Sequence, residues 1–432
     1  MYGWTGHIAL IDLARQQVRT LSLSPETYAK HIGGRGLGGR FVRPAATRGW
    51  DHADMPVCLF TGPLTGTIAP TSGRCHMMSI SPLTGLVGDA SMGGKMGFQL
   101  KRAGWDGLVI TGKSRTPVGI DIRDNRITFT PAGRLWGMPT DMLHETLAPG
   151  KDSLAGIGPA GENGVRFASV IADRYHAAGR TGLGLSLGVK KVKYIRVSGT
   201  GRPRVKYPET LKQANADIVR LTAASPALMG RFGISCLGTG ALYDLMDNRC
   251  MMPTHNFTAT RFGPASRLNA HACAAAFQPR QYGCKGCHIR CKRIATRGTP
   301  GMILPEFDAM SHFTALIGLD DIHAAAAANQ TCRRLGMDPV SAASTLACFR
   351  EITGRNFTSP TLIRLLEDIA FDRGAGRDLK YGAVRYAGSM GQPSAAMAVK
   401  GLELPAYDPR GAYGLALGYA VSTPGGCHER AR

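Results

Sequence analysis

The sequence lacks the features that would place the protein in a membrane or outside the cell. No segment approaches the roughly 18 consecutive apolar residues that a membrane-spanning helix needs. The N-terminus has no basic stretch followed by an apolar one, which is the pattern of a signal peptide. A collagen-like glycine period, internal repeats and low-complexity linkers are also missing. These absences predict a soluble protein of the cytoplasm, with no membrane partner.

Acidic residues are the second shortage. The chain has 30 Asp and Glu against 52 Lys and Arg, so its formal net charge is +22. Nucleic acid, an anionic cofactor or an acidic protein could each bind such a chain, and a basic surface can also simply aid solubility. The cations are scattered, without a block of about five like charges. This scatter argues against a nucleic-acid partner.

The order of sequence patterns predicts an α+β protein. The 432 residues suffice for about two to four domains. Apolar runs and turn signals predict hairpins over residues 7–23 and 118–129 and a buried strand over 107–111. Helical patterns follow a composition shift near residues 198–203. We expect a β-rich N-terminal domain over residues 1–203, a helical domain over 204–406 and the start of a further helical domain over 407–432.

Three helices illustrate the patterns of the second half. The first covers residues 208–223. The second covers residues 322–334, with Asp320 or Asp321 as its cap and Gly336 as its stop. The third starts at Ser359, which we predict as the N-cap because Pro360 follows it, and extends toward Gly374.

Three of the eleven cysteines lie within eight residues of one another. Cys284, Cys287 and Cys291 form a C-x-x-C-x-x-x-C motif, and in a reducing compartment such a cluster binds metal more often than it forms disulfides. An iron–sulfur cluster is the favoured interpretation. A zinc site that includes His288 or another cysteine, and a surface loop with incidental thiols, stay open.

A series of glycine-rich motifs resembles the aldehyde ferredoxin oxidoreductase family. They are, in chain order, residues 2–6 (YGWTG), 32–38 (IGGRGLG), 61–67 (TGPLTGT), 69–74 (APTSGR), 91–95 (SMGGK), 101–107 (KRAGWDG), 157–163 (IGPAGEN) and 179–184 (GRTGLG). One glycine motif is weak evidence, but this ordered series covers most of the chain together with the segments below. The resemblance implies a fold with an N-terminal domain that cradles pterins.

The resemblance also implies a tungsten or molybdenum bis-pterin cofactor, whose metal is held by pterin sulfurs. The positions that match the family's cofactor-binding segments are Arg74, Gly93, Gly94, Arg180, Thr181 and Gly182. Residues 332–338 (CRRLGMD) resemble the family's first pterin motif through Gly336 and Asp338. Within that motif, Arg333 and Met337 depart from the usual residues.

The same resemblance implies an oxidation of small aldehydes to carboxylates with water as the oxygen source. Residues 305–308 (PEFD) match a family segment that offers Glu306 or Asp308 as the carboxylate that deprotonates water. Residues 425–428 (GGCH) offer His428 as a proton carrier. The three clustered cysteines match ligands of a [4Fe–4S] cluster, which would pass electrons to a ferredoxin or a similar acidic acceptor. A homodimer is compatible with the sequence.

Two other hypotheses compete with an active enzyme. The last residues resemble an internal segment of the family, so we expect the family's fourth cluster cysteine and second pterin motif to be missing from this chain. The chain could then be a truncated, non-catalytic remnant of the family. Alternatively, the charge and the cysteine spacing suit a basic binding protein with a zinc knuckle.

Overall fold

The structure is a computed structural model that describes residues 1–430. The chain forms two units. Each unit includes one short segment that lies, in the sequence, within the range of the other unit. The first unit comprises Met1–Gly164, Ala168–Leu221 and Cys284–His288. The second unit comprises Val165–Phe167, Thr222–Gly283 and the residues after His288. The predicted division at residues 203 and 406 stays a prediction.

Two six-stranded sheets form the first unit. The strands of the first sheet are β1 (His7–Asp12), β2 (Gln17–Ser22), β3 (Val57–Phe60), β4 (Cys75–Ile80), β5 (Val87–Met92) and β6 (Gly107–Thr111). Their order is β2-β1-β6-β3-β4-β5, and β1 and β6 are parallel while the other neighbours are antiparallel. Strands β4 and β5 therefore form one edge of this sheet.

The second sheet follows in the chain. Its strands are β7 (Val118–Arg123), β8 (Arg126–Pro131), β9 (Ser153–Ile157), β10 (Val170–Ala172), β11 (His176–Ala178) and β12 (Val192–Ser198). Their order is β11-β10-β9-β12-β7-β8. Both predicted hairpins and the predicted strand over Gly107–Thr111 are confirmed.

Seven helices belong to the first unit wholly or largely. They are α1 (Pro25–His31), α2 (Gly34–Val42), α3 (Met96–Arg102), α4 (Thr140–Leu147), α5 (Pro159–Glu162), α6 (Leu183–Gly188) and α7 (Pro208–Ala223). One core joins the two sheets through residues such as Leu108, Ile120 and Val197, which are essentially inaccessible to solvent. A second core, with Leu37 and Phe60, packs α1 and α2 against the first sheet.

The second unit is mainly helical. Its helices are α8 (Pro226–Met229), α9 (Ile234–Leu237), α10 (Leu242–Asn248), α11 (Ala270–Phe277), α12 (Phe307–Ser311), α13 (Ile322–Leu335), α14 (Pro339–Thr353), α15 (Ser359–Ala370), α16 (Gly376–Leu379), α17 (Ala383–Ser389) and α18 (Tyr413–Val421). Two small hairpins join them, formed by β13 (Arg280–Tyr282) with β14 (Lys292–Ile294) and by β15 (Ala398–Val399) with β16 (Leu402–Glu403). The α+β class and its order, β-rich before helical, are confirmed.

The helix boundaries follow the predicted caps except at the two ends of α15. Asp321 caps α13 by accepting hydrogen bonds from the amides of His323 and Ala324, and Gly336 ends the helix in the left-handed region at φ 76°. Helix α15 is capped by Thr358, so the predicted cap at Ser359 was wrong by one residue. The helix also ends at Ala370, before the predicted Gly374.

Among the described residues, no helix is both long enough and apolar enough to span a membrane.

A buried ion pair ties the first sheet to the N-terminal segment. The Asp106 carboxylate is fully buried and accepts hydrogen bonds from the Gly6 amide at 2.8 Å, the Tyr28 hydroxyl at 2.8 Å and the Lys101 ammonium. Burial lowers the pKa of Lys101, while the Asp106 carboxylate opposes that shift. The ammonium also donates to the Gly3 carbonyl at 3.1 Å.

We expect Asp106→Ala to lower the free energy of unfolding by about 3–5 kcal/mol, because it leaves the Lys101 ammonium buried without its counter-ion. The measurement is urea-induced unfolding followed by circular dichroism. Glu209→Ala is the control, since it removes the same charge from an exposed site and is expected to change stability by about 0.5 kcal/mol or less. Equal effects of the two changes would contradict a structural role for the pair.

Candidate functional site

A polar surface on strands β4 and β5 carries the first predicted site residue. His76 of β4 lies opposite Ser91 of β5. Arg74 immediately precedes β4, and its Nε and Nη2 donate to the hydroxyl and the carbonyl of Ser91, each at 2.6 Å. These bonds fix the guanidinium at the exposed end of the strand pair, and no hydrogen bond engages its Nη1 within residues 1–430. The arrangement suits contact with an anion such as a phosphate.

Two glycines follow β5 where the backbone must approach other groups closely. A Cβ atom on Gly93 would lie 2.6 Å from Sγ of Cys284 and 2.9 Å from Nδ1 of His176. Gly94 has φ 89°, and a Cβ there would collide with the Asp173 carboxylate. Both positions therefore need glycine, because side chains of the protein itself lie against them. Their contact with a cofactor stays a prediction.

A left-handed turn before α6 carries three further predicted residues. Arg180, Thr181 and Gly182 have φ angles of 59°, 54° and 77°. The Thr181 carbonyl accepts a hydrogen bond from the Ser81 hydroxyl at 2.6 Å, which fixes the turn against the first sheet. In the described part of the chain, the Thr181 hydroxyl is buried and has no hydrogen-bond partner. A Cβ on Gly88 would lie 2.9 Å from that hydroxyl.

The buried Thr181 hydroxyl is a feature that a polar cofactor could satisfy. A buried hydroxyl without a partner is costly, and a bound phosphate or pterin could supply one. Together with the exposed guanidinium of Arg74, it fits the pterin-cradling role that the sequence predicts.

The predicted metal ligands are divided between the two units. Cys284 and Cys287 lie in the first unit, where the Lys285 amide donates to the Gly94 carbonyl at 3.1 Å and the Thr71 amide donates to the Gly286 carbonyl at 3.4 Å. Cys291 lies in the second unit. All three thiols are partly exposed. In residues 1–430, no group of three or more His, Cys, Asp or Glu side chains is arranged to hold a metal ion.

In the second unit, Glu306 lies between two cations. Its Oε2 is 2.9 Å from Nζ of Lys292 and 3.9 Å from Nη2 of Arg333. Both cations are largely buried, and burial lowers the pKa of Arg333 while Glu306 opposes the shift. The two cations therefore hold the carboxylate in a fixed place. The sequence marks Lys292 only as a cation beside the cysteine motif and does not reveal its pairing with Glu306.

Asp308 and His428 form the second predicted group of this unit. Oδ1 of Asp308 accepts from the Ala406 amide at 3.1 Å, and Oδ2 lies 3.7 Å from Nε2 of His428. The imidazole ring lies 5.2 Å from the ring of Tyr407. Nδ1 of His428 is buried and makes no hydrogen bond to any described residue. The structure thus brings together the predicted carboxylate of Asp308 and the predicted imidazole of His428. Tyr407 is a neighbour that the sequence did not reveal.

Two predicted pterin contacts have local structural roles. Gly336 ends α13 at a left-handed φ. Asp338 is largely buried and caps α14 by accepting a hydrogen bond from the Ser341 amide at 3.0 Å. These roles account for both residue types at the junction of two helices. Their contact with a pterin stays a prediction.

Two family models match almost the entire chain. The model described as "Aldehyde ferredoxin oxidoreductase, N-terminal domain" matches residues 8–199. The model described as "Aldehyde ferredoxin oxidoreductase, domains 2 & 3" matches residues 213–432. The two matches follow each other in the order that their descriptions state.

Curated relatives agree with these matches. Tungsten-containing aldehyde ferredoxin oxidoreductases of Thermococcus kodakarensis and Pyrococcus furiosus are each 33% identical to the chain, over 99% of it and 74% of their own length. The WOR-like subunit of an aliphatic sulfonate oxidoreductase from Pyrococcus furiosus is 26% identical, over 99% of the chain and 75% of its own length.

A solved structure shares the fold. It is the active-site complex BamBC of benzoyl coenzyme A reductase with 1,5-dienoyl-CoA, and it superposes with a TM-score of 0.82 at 23% identity. The match covers 94% of the chain but 66% of the solved chain, so slightly under two thirds of that chain has a counterpart here.

The close approach at Gly93 can be tested by adding one methyl group. Gly93→Ala is expected to lower the free energy of unfolding by about 1–3 kcal/mol, because the new Cβ displaces the Cys284 segment or His176. Gly133→Ala is the matched control, since a Cβ there meets no atom within 4 Å and its φ is ordinary. Chemical unfolding of both variants checks this, and equal midpoints would contradict the contact.

Proposed function

The chain belongs to the aldehyde ferredoxin oxidoreductase family, and on that premise we propose that it oxidises aldehydes to carboxylates with water as the oxygen source. The balanced half-reaction converts one aldehyde and one water into a carboxylic acid, two protons and two electrons. The observation that carries the proposal is the imidazole of His428, whose Nε2 faces the Asp308 carboxylate while Nδ1 is buried and lacks a partner within residues 1–430. Such a pair can accept a proton at a water-poor position.

A tungsten or molybdenum bis-pterin is the cofactor that we propose for this reaction. When bound, it supplies the acceptor for the two electrons that leave the aldehyde. In the first unit, Arg74 would contact phosphate, and the hydroxyl of Thr181 would gain the hydrogen-bond partner that it lacks among the described residues. The tungsten-containing relatives support the choice of metal.

The three thiols of Cys284, Cys287 and Cys291 support a [4Fe–4S] cluster as a second group. Thiolates are the usual ligands of such clusters, and three of them occur here at close spacing. Their partial exposure leaves them open to metal loading. The cations Lys285, Arg290 and Lys292 lie between or beside the cysteines and would offset the negative charge of a thiolate-bound cluster.

We assign the proton transfer to His428 and a positioning role to Asp308. The Ala406 amide holds one oxygen of Asp308, and the other oxygen faces Nε2 of His428. The Asp308 carboxylate therefore faces the Nε2 edge of the ring at 3.7 Å. In the proposed reaction the imidazole removes a proton from water or from the hydrated aldehyde.

Glu306 has a different task. Its Oε2 lies 2.9 Å from Nζ of Lys292 and 3.9 Å from Nη2 of Arg333, so the carboxylate is already engaged with cations of the protein. We propose that Glu306 orients water or substrate through a fixed negative charge. The sequence offered Glu306 and Asp308 as alternatives for one role, and we propose a separate role for each.

An aldehyde is the favoured substrate because the aldehyde-oxidising relatives are the more similar ones. They share 33% identity with the chain, compared with 26% for the sulfonate oxidoreductase subunit. The net charge of +22 supports an acidic ferredoxin as the acceptor. Two one-electron ferredoxins would be reduced for each aldehyde oxidised.

The first experiment is elemental analysis of the anaerobically purified protein, followed by aldehyde-dependent reduction of a viologen dye. We expect tungsten or molybdenum, about four iron atoms per chain and dye reduction that requires aldehyde. Stoichiometric zinc without iron would favour the zinc-knuckle hypothesis. Metal-loaded protein that reduces no dye with any small aldehyde would favour the non-catalytic remnant.

The proposed proton carrier gives a sharper test. His428→Ala is expected to lower kcat/KM for the aldehyde about 10²–10⁴-fold, which is the usual contribution of general acid–base catalysis. Asp308→Asn is expected to have a smaller effect of about tenfold, because the imidazole stays but loses its orienting charge. Stopped-flow dye assays on preparations with equal metal content would measure both.

The matched control is Glu429→Gln, which changes an exposed side chain next to His428. It is expected to leave kcat/KM within about twofold of the parent value. If His428→Ala were as active as this control, the assignment of proton transfer to the imidazole would be wrong.

A further inference from the structure

We propose that an acidic iron–sulfur electron-carrier protein docks on a groove of the first unit, which we call the Phe98 groove. The inference rests on the proposed function, because it supplies the site where the electrons leave. The groove has a volume of about 360 Å³. Its lining consists of Gly66, Thr67, Ile68, Phe98, Arg102, Gly201, Arg202, Pro203, Val205, Pro208 and Leu211.

The groove lies beside the segment that carries two of the predicted cluster ligands. Nζ of Lys285, which stands between Cys284 and Cys287 in the chain, lies 5.6 Å from the centre of the Phe98 ring. On the Ile68 side, the Thr71 amide donates a hydrogen bond to the Gly286 carbonyl. Phe98 thus contributes to the groove and also contacts the cysteine segment. A carrier seated in the groove would be adjacent to that segment.

The groove lining includes the cations Arg102 and Arg202, and further cations follow directly in the chain. Residues 202–206 alternate in exposure, with the cations Arg202, Arg204 and Lys206 exposed and Pro203 and Val205 half-buried. No carboxylate is among the lining residues. The nearest acid in this stretch of chain is Glu209, which pairs with Lys212 at 3.8 Å. An acidic partner would therefore meet several cations and little repulsion.

The centre of the groove is apolar and accessible. Ile68 is 55% exposed and Leu64, in the same loop, is 52% exposed. Ile68, Pro203, Val205 and Leu211 together form the small apolar part of the groove lining. A small apolar centre with a charged border is typical of weak redox complexes, which bury less than roughly 1,200 Å².

A protein carrier fits this surface better than nucleic acid does. Single-stranded nucleic acid binds to open aromatic faces between cations. Phe98 is half-buried, and the guanidinium of Arg102 and the ammonium of Lys285 lie 5.4 Å and 5.6 Å from its ring centre. Its faces are therefore occupied by cations of the protein itself. Arg102 is also held by the carbonyls of Thr200 and Gly201.

Electron transfer at this surface balances with the proposed oxidation. One aldehyde releases two electrons, and a [4Fe–4S] carrier accepts one. Two oxidised carriers therefore dock in succession, and each leaves reduced by one electron. Such exchange requires fast dissociation, which weak ionic contacts permit.

The test is the double variant Arg202→Glu with Lys206→Glu, compared with Arg19→Glu with Arg126→Glu. The control residues are exposed cations on strands β2 and β8 of the same unit, so both variants change the net charge equally. The probe is an oxidised acidic [4Fe–4S] ferredoxin, whose binding to the holoenzyme is measured by surface plasmon resonance at two salt concentrations. Unfolding midpoints verify that each variant folds.

We expect the groove variant to bind the ferredoxin about tenfold or more weakly, with a smaller salt dependence, while the control variant changes affinity less than about twofold. Where turnover is measurable, KM for ferredoxin rises in the groove variant and the rate with a viologen dye is unchanged. Ile68→Ser is expected to weaken binding at both salt concentrations alike, because it removes apolar contact.

Equal weakening in the two charge variants would overturn the proposal, since net charge alone would then explain binding. Absence of ferredoxin binding, together with binding of a single-stranded oligonucleotide that the groove variant loses, would overturn it in favour of nucleic acid. These binding assays need no aldehyde. Failure of aldehyde oxidation alone would therefore count against the proposed function and leave the docking result intact.

Discussion

The buried contact between Lys101 and Asp106 is the constraint on which the first unit depends. A buried carboxylate must have its oxygens satisfied, and here the donors come from the N-terminal segment, α1 and α3. Helix α3 starts shortly after Gly93 and Gly94, so the pair fixes the far end of the element that follows these two glycines. The position of this predicted cofactor-binding segment therefore depends on an interaction in the core.

Elements with strong local signals could be predicted from the sequence. Helix α13 shows this, because Asp321 and Gly336 are cap residues that act through their own neighbours in the chain. The start of α15 was missed by one residue because Thr358 and Ser359 are both hydroxyl residues. Thr358 prevails through reciprocal bonds with Thr361, which form a capping box. The order of the strands in each sheet could not be read from local patterns.

For the candidate site, residue identities could be predicted but their partners could not. Asp308 and His428 were recognised from separate motifs, yet their proximity depends on how the second unit folds. Tyr407 belongs to no recognised motif, and its sequence position alone does not distinguish a core aromatic residue from one that contacts His428. Asp338 shows the opposite problem, because its helix cap explains the residue without a ligand. A motif thus identifies candidate residues. The geometry is needed to distinguish residues with a structural role, such as a helix cap, from residues that lie together in a possible site.

The net charge illustrates the same limit, because part of it is structural. Lys190 is buried and donates to the carbonyls of Ala53 and Gly112, and burial lowers its pKa to about 8. Lys193 is buried against Glu162. Such cations are shielded from any partner, so a total of +22 overstates the charge that a partner meets. The exposed cations matter more, and around the Phe98 groove they border an apolar centre. That combination can select an acidic protein and still release it quickly, as the proposed oxidation, with two carriers for each aldehyde, requires.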